Sequence, residues 1–175
     1  MLLDLSKIRT PHEKYERTFN AAAFAPDEDY AVVAPVHLIA DIFKDKDTFR
    51  LVGRVQSVLE LPCSRCLDPF RLTVDEPFEL TYQPRAAATA DETDRELHDT
   101  DSSVAFYEND ELDLEQLLRE RFELSLPMKP LCRDDCRGLC PVCGTNLNRE
   151  TCACKTGWDD PRFAALKELK IKADA

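Results

Sequence analysis

The sequence predicts an α+β protein: a mainly antiparallel β-sheet covered by a helix, followed by a Cys-rich C-terminal module and a short terminal helix. Three observations carry this reading. Stretches of the first half alternate apolar and polar residues with period two. One later stretch repeats its apolar residues at helical spacing. All eight cysteines fall into tight clusters. A chain of 175 residues has room for one domain and a small module, and 43% hydrophobic residues suffice for a core.

The strands come first. In 32–42 every even position is apolar (Val32, Ala34, Val36, Leu38, Ala40, Ile42), whereas odd positions admit Pro35, His37 and Asp41. In 49–61 the odd positions Phe49, Leu51, Val55, Leu59 and Leu61 are apolar, against Arg50, Arg54, Gln56 and Glu60. In 70–82 the even positions Phe70, Leu72, Val74, Phe78, Leu80 and Tyr82 are apolar, and Glu76 is the one break. Period two over such lengths means strands with one buried face. The short connection 62–69 makes the last two an antiparallel hairpin. A sheet is expected from residues 1–83 and 104–107, and its apolar side needs a cover.

Residues 84–103 are acidic and aperiodic, which reads as a solvated loop. A helix over about 113–125 follows. Asp113 can cap it with Gln116 three residues on, Leu114, Leu117, Leu118 and Phe122 share a face, and Pro127 ends it. This is the expected cover. Asp160-Pro161 starts the final helix. The implied domains are 1–126, β-rich with the acidic loop 84–103 and the covering helix, and 127–175, a Cys-rich module with the C-terminal helix.

Charge narrows the function. The net charge is −11, and residues 89–123 alone hold 13 acids against Arg95, Arg119 and Arg121. Such a chain cannot coat nucleic acid by general counterion release. Asp4 interrupts the first residues where a signal peptide would be apolar, and no window approaches the roughly 18 apolar residues of a membrane helix. A cytoplasmic location is expected, where thiols stay reduced and cysteine clusters point to metal.

The cysteines are Cys63 and Cys66, between the two long strands; Cys132 and Cys136; and Cys140, Cys143, Cys152 and Cys154. A two-residue spacer lets a tight turn aim both sulfurs at one point, and zinc takes four thiolates in a tetrahedron. Two structural Zn²⁺ account for all eight. The favoured division joins Cys140, Cys143, Cys152 and Cys154 locally and Cys63, Cys66, Cys132 and Cys136 over long range. The rival division groups Cys132, Cys136, Cys140 and Cys143. Sites filled by four thiolates are closed, which argues for structure over catalysis.

Other chemistries fit less of the sequence. The spacing Cys136-x-x-x-Cys140-x-x-Cys143 matches that of a radical enzyme's iron–sulfur cluster, but it lies near the end of a short chain. A thiol–disulfide redox protein would use one Cys-x-x-Cys pair, with Arg65 helping Cys63 or Cys66 ionise, and would leave six cysteines unexplained. His12, His37 and His98 are far apart, and no Ser-His-Asp order, nucleotide loop or paired acid site stands out. Trp158 is expected to pack a small core. Arg133, Arg137, Arg149 and Lys155, with Lys167, Lys170 and Lys172, could form a local basic patch contacting RNA or a partner.

Cys63-Ser64-Arg65-Cys66-Leu67, Leu126-Pro127-Met128-Lys129-Pro130-Leu131-Cys132, Asp135-Cys136-Arg137-Gly138-Leu139-Cys140-Pro141-Val142-Cys143-Gly144-Thr145-Asn146-Leu147-Asn148 and Asp160-Pro161-Arg162 together resemble the bacterial YceD family. This is the large ribosomal RNA subunit accumulation protein family, and the likeness runs in order over about residues 30–170. The resemblance implies a non-enzymatic part in 23S rRNA accumulation or processing during large-subunit ribosome biogenesis, with no catalytic residues to carry over. Together with the charge, it implies work through ribosome assembly components, either basic ribosomal proteins or a processing nuclease. A local rRNA contact is the second option, and no small-molecule substrate is expected.

Overall fold

The computed structural model describes residues 1–85 and 104–155. The final helix expected from Asp160, Trp158, His98, and all but the first residues of the acidic loop fall outside the described residues.

Among the described residues, eight strands and one α-helix follow in chain order: β1 (Leu2–Asp4), β2 (His12–Phe19), β3 (Ala31–Val32), β4 (Val36–Asp45), β5 (Thr48–Pro62), β6 (Pro69–Pro84), β7 (Val104–Tyr107), β8 (Glu111–Asp113) and α1 (Leu114–Ser125). The main sheet runs β2-β4-β5-β6-β7, with β3 added beside β5. All its pairings are antiparallel except β6 with β7, which is parallel. β1 and β8 form a separate antiparallel pair.

The three alternating stretches are β4, β5 and β6, and their registers keep the apolar sides together. Ile42 lies opposite Leu51, which lies opposite Leu80; Leu38 lies opposite Val55. The strands β4 and β5 turn through only Lys46 and Asp47, with Lys46 at φ 55. The edge strand β2 was not legible in the sequence. Its residues are exposed apart from Tyr15, which is partly buried, and Phe19, which is buried. Charged side chains on such an edge discourage pairing with another chain.

Gly53 shows how closely β4 and β5 approach. A Cβ there would stand 2.4 Å from the Ile39 carbonyl oxygen and 2.9 Å from the Ala40 Cα. Backbone atoms cannot swing aside as a side-chain end can. Gly53→Ala should therefore lower stability by about 1–3 kcal/mol through overpacking, read as a lower urea midpoint. An unchanged midpoint would mean that the sheet flexes freely at this point.

Helix α1 is the cover. Asp113 caps it, its carboxylate accepting from the amides of Glu115 and Gln116 at 2.9 and 3.5 Å. Partial burial works against the ionised carboxyl, but the Glu115 amide, the Met1 ammonium and the Gln116 amide together outweigh it and hold the Asp113 pKa below its ordinary value. Leu114, Leu117, Leu118 and Phe122 are at most 1% exposed. They join Leu5, Phe19, Phe24, Tyr30 and the inner faces of β4, β5 and β6 in one core. Burial raises the Tyr82 hydroxyl to about 12, Glu120 adding to the effect and Arg121 opposing it.

The chain divides into two compact units. The first contains Met1–Cys63 and Asp68–Cys132; the second contains Ser64–Leu67 and the chain from Arg133 onward. The sheet, α1 and the core all belong to the first. Among its described residues the second has no strand or helix and contributes none to the hydrophobic core.

Candidate metal centres

Thiols dominate the chemistry on offer. The Sγ atoms of Cys63, Cys66, Cys132 and Cys136 lie within 4.8 Å of one another, and so do those of Cys140, Cys143, Cys152 and Cys154. Four sulfurs bound to one zinc at about 2.3 Å would stand about 3.8 Å apart at the corners of a tetrahedron. The spacing fits such an ion, and all eight cysteines are free thiols, with no disulfide formed. Either group could hold one metal ion through four thiolates, a soft donor set that suits zinc and leaves no open position for substrate.

Local backbone geometry aims these sulfurs. In the β5–β6 connection the Cys63 amide donates to the Asp68 carbonyl at 3.0 Å, and Leu67 takes a left-handed φ of 61. Further on, the Cys140 amide donates to the Thr145 carbonyl at 2.8 Å and the Gly144 amide to the Cys140 carbonyl at 2.9 Å. Gly144, at φ 74, makes that turn without a Cβ penalty. The result is a knuckle presenting Cys140 and Cys143 together.

The second unit is tied together by polar contacts. Leu139 donates its amide to the Arg65 carbonyl at 3.1 Å. Gly138, at φ 75, passes so near that a Cβ would lie 3.0 Å from that same oxygen. The Arg65 guanidinium donates to the carbonyls of Cys136 at 2.7 Å and Asp134 at 3.3 Å. Arg65 therefore braces the backbone around Cys136.

Asn148 was not singled out in the sequence. Its side-chain oxygen accepts from the Arg137 amide at 2.8 Å and from Arg133 Nη2 at 2.9 Å, and its Nδ2 donates to Cys136 Sγ at 3.3 Å. Asn146 steadies it, its Oδ1 accepting from the Asn148 amide and Nδ2, each at 3.0 Å. The only sequence signal was two asparagines spaced by one residue directly after the knuckle. A hydrogen bond to a ligand sulfur orients it and tempers its charge. Asn148→Ala should weaken zinc binding by Cys63, Cys66, Cys132 and Cys136 about 10- to 100-fold, measured by competition with a chromogenic chelator. Unchanged affinity would reduce Asn148 to a packing residue.

Crowding sets the acidity of the thiols. The Thr145 hydroxyl and then its amide hold the Cys143 thiol down at about 6. Cys154 is pushed up to about 12, first through its hydrogen bond with Cys143 and then by burial and the charge of its neighbours. Four thiols this close cannot all ionise unaided. A cation at their centre removes that opposition.

The four basic residues of interest divide. Arg133 is engaged by Asn148 and pairs with Asp135 at 3.3 Å. Arg137 and Arg149 line one open depression of about 500 Å³ with Leu147, Asn148, Glu150 and Thr151. Lys155 is exposed. Elsewhere His12 pairs with Asp41 at 2.7 Å, and His37 bonds Thr18 at 3.0 Å on the solvent side of the sheet. The thiol–disulfide alternative gains no support here, since every cysteine belongs to a group of four.

These features define the class: an α+β protein carrying two four-thiol groups able to hold metal ions. The chain belongs to the YceD family, matching over residues 51–170 the family described as large ribosomal RNA subunit accumulation protein YceD. It is 39% identical over 120 residues to an uncharacterized protein of Mycobacterium tuberculosis (strain ATCC 25618 / H37Rv), covering 68% of this chain and 54% of the relative. It is 25% identical over 189 aligned residues to a large ribosomal RNA subunit accumulation protein YCED homolog 1, chloroplastic, of Arabidopsis thaliana, covering 96% and 59%. The Zea mays protein of the same name is 28% identical over 144 residues, covering 69% and 49%. The chain spans about half the length of the curated relatives it matches. No solved structure matches it. Among the described residues no helix is long and apolar enough to cross a membrane.

Proposed function

We propose that this protein is a non-enzymatic factor for 23S rRNA accumulation or processing in large ribosomal subunit biogenesis, working in the cytoplasm as an acidic binding module stapled by zinc. The observation that carries the reading is the family match over residues 51–170, which contains all eight cysteines. The names of the plant relatives point to the same pathway. One Zn²⁺ in each four-thiol group would supply cross-linking, with no chemistry on a substrate. The working domains are 1–126 and 127–175.

Charge favours a protein partner. The net charge of −11 becomes more negative when eight thiolates take two Zn²⁺. Basic ribosomal proteins or a processing nuclease complement the acidic stretch 89–123, of which Glu108, Asp110, Glu111, Glu115, Glu120 and Glu123 are exposed or half-buried. Arg133, Arg137, Arg149 and Lys155 add a local rRNA contact, too few to hold RNA alone at physiological salt.

Pull-down from cell lysate tests the reading. Basic ribosomal proteins or a nuclease should be captured and should stay bound after nuclease treatment. Filter binding to rRNA fragments should be weak. Tight binding with a steep salt slope, lost on neutralising Arg133, Arg137 and Arg149, would overturn the protein-partner reading in favour of direct RNA binding. Loss of every captured ribosomal component would overturn the pathway itself.

A further inference from the structure

The two four-thiol groups differ in how they are shielded. In the first, Cys63 is 0% exposed and Cys66 and Cys136 are 3% each. Cys132 is partly buried. In the second, only Cys140 is buried, at 2%; Cys152 and Cys154 are partly exposed and Cys143 is exposed.

The backbones behind the sulfurs differ too. Cys140 is fixed by the amide bonds of its knuckle. Residues 151–155 have no regular structure, and among the described residues their backbone makes no hydrogen bond to other backbone. Cys152 and Cys154 thus stand on an irregular stretch, their sulfurs within 4.8 Å of that of Cys143. An accessible thiolate with an adjacent thiol that can move toward it is the arrangement that oxidants exploit.

We propose that Cys143 is an oxidation site for small hydroperoxides, and that its attack opens the Cys140–Cys143–Cys152–Cys154 group while Cys63, Cys66, Cys132 and Cys136 keep their ion. The Cys143 thiolate attacks the O–O bond; an S–O bond forms, the O–O bond breaks, and the leaving hydroxide takes a proton to become water. A neighbouring thiolate then attacks Cys143 sulfur, forming the S–S bond and expelling the second hydroxide, which is also protonated. Two thiolates lose two electrons, hydrogen peroxide gains them, and two protons are consumed. The remaining two thiolates are too few to hold the metal in a closed site. The event is stoichiometric and resets with a thiol reductant and fresh metal. It is independent of the rRNA reading.

Protein loaded with two zinc per chain is the material for the test. Hydrogen peroxide is added in the presence of a chromogenic zinc chelator, and the disulfides are mapped by peptide mass. One equivalent should leave, with a disulfide joining Cys143 to Cys140, Cys152 or Cys154. The second should leave only on denaturation, or at least roughly tenfold more slowly. Alkylation of the loaded protein with N-ethylmaleimide should mark Cys143 first. Simultaneous loss of both ions, no loss, a disulfide among Cys63, Cys66, Cys132 and Cys136, or first alkylation at one of those four would each overturn the proposal.

Discussion

Stripping the metal with a strong chelator should unfold residues 133–155 and leave the β4–β5–β6 sheet folded. The reason is the distribution of apolar burial. Among the described residues the core contains 24 buried hydrophobic side chains, and none comes from 133–155. In that stretch only Cys136, Gly138 and Cys140 are buried. Its hydrogen bonds, each worth about 1 kcal/mol net, do not by themselves offset a backbone entropy cost of about 1–2 kcal/mol for every residue ordered. Zinc held by the thiolates adds binding free energy that only the folded stretch can collect. Amide NMR resonances of 133–155 should collapse toward random-coil positions on chelation, while those of Leu38, Leu51 and Leu80 keep their native shifts. Adding Zn²⁺ should restore the spectrum. An unchanged spectrum from metal-free protein would refute the dependence.

Phe122→Ala should cost about 3–5 kcal/mol, the range for truncating a fully buried aromatic residue. Phe122 is 0% exposed and meets two rings edge-on, Phe24 at 5.9 Å and Tyr30 at 6.1 Å between centroids. Its loss opens a cavity where α1 seats on the core. The urea midpoint should fall steeply with little change in slope. Leu124, two residues on and 72% exposed, is the control: Leu124→Ala should shift stability by no more than about 0.5 kcal/mol. Equal effects at the two positions would mean that α1 is not the cover its buried face indicates.

What the sequence made legible follows from which forces leave a local trace. The inner faces of β4, β5 and β6 were readable because burial on one side imposes period two over ten residues or more. Helix α1 was readable from its cap and its apolar stripe. Strand β2 left no trace, since an edge strand can be charged on both sides, and β1 with β8 is too short for any periodicity. The parallel pairing of β7 with β6 depends on chain direction after an aperiodic stretch, about which composition says nothing. Cysteine spacing allowed more than one division of the sulfurs; choosing between them takes contacts separated by some 70 residues, as between Cys66 and Cys136. The role of Asn148 was hidden for a related reason, because a side-chain amide bonded to sulfur has no pattern of its own.

The grouping of Cys63 and Cys66 with Cys132 and Cys136 also imposes an order on biosynthesis. Translation makes the first pair long before the second. At about 5–20 residues per second the wait is on the order of 4–14 seconds. Through that interval the nascent hairpin carries two thiols whose partners do not yet exist. Any ion they catch is held by half a ligand set and exchanges readily, so final loading of this group is a late event, after Cys136 has been added to the chain.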